Sequence, residues 1–148
     1  MPTAMTPDLL PLLTNQQQQL NLTLKDGDSI DAKALAILGA NIAILIFVNQ
    51  NAPGLAIWKY MLLYGPFFLS LLLDIISIWP RRYRSFGIDP TKTSLYLNMS
   101  SQDLVLQLFS NIQAALAYNN KLNQQRLRIC FGSIILTGLG FVTLLFIL

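Results

Sequence analysis

The stretch "DAKALAILGANIAILIFVNQ", residues 31–50, decides how the rest of the chain is read. After Lys33 it carries no charge. Twenty residues rising about 1.5 Å each match a hydrocarbon core about 30 Å thick. A membrane-spanning helix is therefore predicted. Asp28 or Ser29 is placed to cap its first turn, and Asp31 lies near the positive end of the helix dipole. Pro53 and Gly54 punctuate its end. Asn41 falls about 15 Å past Asp31, close to the bilayer middle. Hydrocarbon offers its amide no partner, so it must turn towards another helix, as a structural bond or as part of a pore lining.

Two further segments are long and apolar enough to span. One is "LAIWKYMLLYGPFFLSLLLDIISIW", residues 55–79, with Trp58 and Trp79 placed as interfacial anchors and Pro66 as a kink. The other is "ICFGSIILTGLGFVTLLFIL", residues 129–148. The composition agrees: 53% hydrophobic and only 11% charged residues, where soluble domains carry about 25% charged. With 148 residues, one domain is expected.

The net charge of +3 comes from ten Lys/Arg against seven acids, all Asp, and there is no His. Without His the commonest general base and metal ligand is missing. Cys130 is the one cysteine and reads as a buried thiol. No enzymatic activity, metal, cofactor or nucleic-acid partner is expected. The basic residues set the orientation. Between the second and third spans lie Arg81, Arg82, Arg84, Lys92, Lys121, Arg126 and Arg128, whereas the turn between the first two spans has none before Lys59. The positive-inside rule places residues 1–30 and 80–128 in the cytoplasm.

The opening "MPTAMTPDLLPLLTNQQQQL", residues 1–20, carries Pro7, Pro11 and the polar tract "NQQQQ", and a flexible or loosely packed tail is expected. Residues 80–99 read as a loop, with "SLYLNM" a possible short strand. "RRYR" is a topology anchor for anionic head groups or a phosphate site. At 100–103, "SSQD" forms a capping-box pattern, and no Pro or Gly follows until Gly132. One helix is thus predicted to run from the cytoplasm into the last span. Its heptads place Val105, Ile112, Asn119 and Arg126 at one core position and Leu108, Ala115, Leu122 and Ile129 at the other. Such a stripe fits a coil between copies, with Asn119 fixing register, and fits equally a helix packed on residues 1–30.

Small residues recur as Ala36, Gly39 and Ala43 in the first span and as Ser133, Thr137 and Gly140 in the third, which favours close helix packing. Asp74 in the second span lies at a depth that Lys33 can match, so a Lys33–Asp74 pair is predicted. The fold class is an all-α membrane protein, with three transmembrane helices and a long cytoplasmic helix continuing into the last.

Asp31-x-Lys33-Ala34 leading into Leu38-x-x-Asn41, followed by a short outer turn, a second span ending in basic residues and "NNKLNQQRLRI" before the last span, resembles a known layout. It is that of the small transmembrane effectors of bacterial anti-phage nucleotide signalling, the Pycsar effectors and their CBASS relatives. The resemblance implies a homo-oligomer of the inner membrane that stays silent until a cyclic nucleotide arrives and then breaches the bilayer. It points to Asp31, Lys33, Ala34, Asn41 and Lys121. No glycine-rich phosphate cradle is present, so a ligand site would draw on Arg81, Arg82, Arg84, Asn120 and Lys121, between subunits. The competing reading is an accessory subunit that anchors a larger partner through its cytoplasmic helix. A carrier using Asp74 and Asn41 is a third.

Overall fold

The computed structural model describes residues 10–51, 56–84 and 98–147. They form three helices: α1, Leu10–Asn51; α2, Ile57–Ile78; and α3, Ser101–Ile147. No strand occurs among the described residues. All three helices are long and apolar enough to cross a membrane, and the protein is an all-helical membrane protein. Of the proposed strand at "SLYLNM" only Asn98 and Met99 are described, and they form a turn and a bend; its other residues and the turn at Pro53–Gly54 lie outside the described residues.

Two compact units divide the chain. The first takes Met1–Asp26 with Arg82–Leu122, the second Gly27–Arg81 with Asn123–Leu148. All three stretches predicted to span belong to the second.

One rule organises the burial in every helix. In α1 the buried positions include Leu20, Gly27, Ala34, Asn41 and Val48, each seven residues from the last. In α3 they include Ile112, Asn119, Arg126, Ser133 and Gly140, again at intervals of seven. In α2, Leu63, Ser70 and Ser77 make one such row, and Phe67 and Asp74 a second. A strict seven-residue repeat keeps one face towards a neighbouring helix. Large apolar side chains such as Phe68, Ile135 and Phe146 are left exposed on the other faces, as a lipid solvent permits.

The predicted tail is corrected here over residues 10–20. Residues 10–30 are helical and continuous with the first span, so neither Asp28 nor Ser29 is a cap. Pro11 sits in the first turn, where its missing N–H breaks no bond. Gln and Leu are good helix formers, and Leu20 and Thr23 bury themselves within the first unit. In the same unit Ile112, Ala115, Asn119 and Leu122 of α3 are buried, and Thr23 Oγ1 of α1 lies 3.4 Å from Asn120 Oδ1.

The α3 cap is as predicted. The Asp103 N–H donates to Ser100 Oγ at 3.2 Å, and the Ser100 hydroxyl donates to the Asp103 carboxylate at 2.6 Å. Trp58 and Trp79 are exposed near opposite ends of α2.

In the second unit the core begins with Val48 and Leu63, on which Ile44, Tyr64, Leu144 and Ile147 pack. Next comes Phe67, whose ring meets Phe141 edge-on, with centroids 6.1 Å apart. A Cβ added to Gly140 would fall 2.7 Å from that ring, so glycine is what lets α2 and α3 close here. The row Ala36, Gly39, Ala43 does not serve packing within the chain: all three are exposed, and the buried face of α1 is Ala34, Asn41 and Val48.

Candidate functional site

Below the Phe67–Gly140 contact the core turns polar. Asn41 of α1, Ser70 and Asp74 of α2, and Ser133 of α3 are each fully buried, and Thr137 of α3 joins them. The Asn41 amide donates from Nδ2 to Ser70 Oγ at 2.8 Å. Its Oδ1 accepts from the Thr137 hydroxyl at 3.0 Å. Because Thr137 gives its one proton to Asn41, the 2.9 Å contact between Ser70 and Thr137 requires Ser70 to donate. Asn41, Ser70 and Thr137 then form a closed circuit with one member from each helix. The alternative use of the Ser70 proton is the Ser133 carbonyl, at 3.0 Å. Ser133 Oγ lies 2.7 Å from Ser70 Oγ, and either hydroxyl can donate there.

Asp74 hangs from this circuit by a long contact. Its Oδ2 lies 3.4 Å from Asn41 Nδ2, and its Oδ1 has no hydrogen-bond partner among the described residues. The predicted Lys33–Asp74 pair does not form. Lys33 is exposed, while Asp74 faces the Asn41 amide across the core. The reason is rotational: Lys33 lies one residue off the Ala34–Asn41 row that points inwards, and a helix turns about 100° per residue.

The acid that does pair is Asp31, and its partner is Arg126. Arg126 is 2% exposed and also donates from Nε to the Ser77 carbonyl at 2.9 Å. Burial pulls the guanidinium below its ordinary pKa and the charge of Asp28 pushes it back up; arginine stays charged throughout. A buried cation at a heptad core position is tolerable only with such partners.

The first unit holds most of the other predicted residues. Asn119, fully buried, accepts from the Arg84 N–H and donates to the Arg84 carbonyl, both at 2.9 Å. The Arg84 guanidinium lies over the Tyr118 ring, 4.5 Å from its centroid. Arg82, Asn120 and Lys121 are exposed in this unit. Arg81 belongs to the second unit and is half-buried. The structure thus joins Arg84 to Asn119 and Tyr118 and sets Asn120 beside Thr23.

Four participants were not singled out from the sequence: Ser70, Ser77 and Arg126 as polar partners, and Tyr118. The spacing held the signal for three of them. Ser70 and Ser77 are seven apart on the Leu63 row. Arg126 sits seven from both Asn119 and Ser133, so its guanidinium had to find an acid on a facing helix. No protein-family profile, characterised relative or solved structure matches the chain.

Proposed function

We propose that this protein is an effector of the bacterial inner membrane that assembles with copies of itself and permeabilises the bilayer when a cytoplasmic cyclic nucleotide signals phage infection. In this reading residues 1–30 and 80–128 face the cytoplasm, as the distribution of Lys and Arg suggests. The observation that carries it is the polar circuit of Asn41, Ser70 and Thr137 with Asp74 beside it. Three apolar helices of these lengths need no carboxylate within a span, and intramembrane acids are costly and mostly functional. In the silent state the circuit satisfies its members within one chain. On activation the helices shift, and the same side chains line a wet path between subunits.

A sensing face is supported by the Arg84–Tyr118 pair. A guanidinium beside an exposed aromatic ring offers charge to a phosphate and a π-face to a base. Lys121 lies three residues further along α3, one helical turn from Tyr118.

The test uses the purified full chain in phosphatidylethanolamine/phosphatidylglycerol vesicles loaded with a self-quenched dye. Addition of the cognate cyclic nucleotide is expected to release dye, and Arg84→Ala to blunt the response. If no cyclic nucleotide binds or releases dye, and cells producing the protein with a nucleotide cyclase keep their membrane potential, the reading fails.

The accessory-subunit reading draws on Leu12, Leu22 and Leu106, which are exposed in the first unit and offer apolar contacts to a partner helix. A stoichiometric larger protein purifying with the chain in mild detergent favours it; a homo-oligomer alone favours the effector.

A further inference from the structure

A groove of about 430 Å³ runs along the second unit between α1 and α3, lined by Lys33, Ala36, Ile37, Cys130, Phe131 and Ile134 among others. Its volume falls within the roughly 300–1,000 Å³ of ordinary ligand sites. The walls are apolar except at Lys33. Ile37 lies one turn from Lys33 towards the middle of the span, so the groove leads from a cation into hydrocarbon.

The acids of this unit are otherwise engaged or enclosed. Asp31 is bound to Arg126, Asp28 directs its charge at the same guanidinium, and Asp74 is wholly buried. Among the described residues no acid lies within ion-pair distance of Lys33. A second copy docking here through its own spans would therefore bring no acid to meet this ammonium. A phospholipid brings both parts: an acyl chain for Ala36, Ile37, Phe131 and Ile134, and a phosphate for Lys33. Basic pockets between transmembrane helices at the head-group level bind acidic lipids on this principle.

We infer that the groove between α1 and α3 is a binding site for one anionic phospholipid, with its phosphate on Lys33 and an acyl chain along Ala36, Ile37 and Phe131. The site is set by charge and shape and does not depend on the trigger proposed above.

Native mass spectrometry of the full chain, released from detergent with added phosphatidylglycerol or phosphatidylcholine, tests it. Wild type is expected to retain one phosphatidylglycerol about fivefold more often than one phosphatidylcholine, the preference one lysine supplies at a head group. Lys33→Gln should bring the two lipids to parity while the protein remains folded. Ala36→Trp, which fills the groove from an exposed position, should remove retention of both. Equal phosphatidylglycerol retention in all three proteins overturns the inference. So does efficient disulfide dimerisation of Phe131→Cys in a Cys130→Ala background, because the groove is then covered by a second copy.

Discussion

Asn119 holds Arg84 by the backbone, accepting from its N–H and donating to its carbonyl at 2.9 Å each. The grip is on the peptide, so it is indifferent to the Arg84 side chain. Asn119→Leu is expected to lower stability by about 1 kcal/mol, at the low end for an orphaned polar group because water can reach Arg84. Amide hydrogen exchange at Arg84 should accelerate. Arg84→Ala should leave that amide as protected as in wild type, and equal acceleration in both variants would refute the backbone clamp.

The intramembrane circuit predicts a graded loss. Single hydrogen bonds between transmembrane helices contribute about 0.6 kcal/mol on average and at most about 1.7. Thr137→Val removes the donor to Asn41 and should cost about 0.6 kcal/mol in mixed-micelle unfolding. Asn41→Leu breaks both sides of the circuit and should cost about 1–2 kcal/mol. An Asn41→Leu protein as stable as wild type would mean the circuit does not hold the three helices.

Asp31 and Arg126 should behave as a coupled pair. Removing the acid takes from a buried guanidinium its ion-pair partner, with the Ser77 carbonyl and the charge of Asp28 remaining. Such losses reach about 3–5 kcal/mol in fully buried pairs. Asp31 is about one-third exposed, so solvent screening brings the expectation for Asp31→Ala nearer 1–3 kcal/mol. Asp31→Ala combined with Arg126→Met should be more stable than Asp31→Ala alone. Strict additivity of the two changes would argue against the pairing.

Gly140 and Phe67 give a steric test. An added methyl lands within 2.7 Å of a fully buried ring, so Gly140→Ala should cost about 1–3 kcal/mol, the usual penalty of overpacking. Phe67→Leu in the same chain should restore part of it. Gly39 and Gly138 have open space at the same distance, so alanine at either should be neutral or mildly stabilising.

Legibility followed the hydrophobic period. Three apolar stretches of spanning length and the Ser100–Asp103 cap are local patterns, and each appears where the sequence places it. The inward turn of Asn41 was legible because hydrocarbon leaves an amide no other choice. Partnership was harder. Lys33 and Asp74 match in depth but not in rotation, and depth alone suggested the pair; Arg126, reading only as a polar break in a coil, was the cation Asp31 needed. Residues 10–20 read as loose in sequence because Pro11 and the glutamines weigh against order locally. Their helix is fixed by burial of Leu20 and Thr23, a tertiary effect invisible in a short window.

The division of the circuit among three helices has a consequence for biosynthesis. When α1 and α2 have left the translocon and α3 is still being made, Asn41 and Asp74 have Ser70 near them but neither Ser133 nor Thr137. For that interval a carboxylate sits in lipid with half its companions missing. A nascent chain stalled or cleaved before Ser133 should therefore be a good substrate for membrane proteases, whereas the finished chain conceals the feature they recognise.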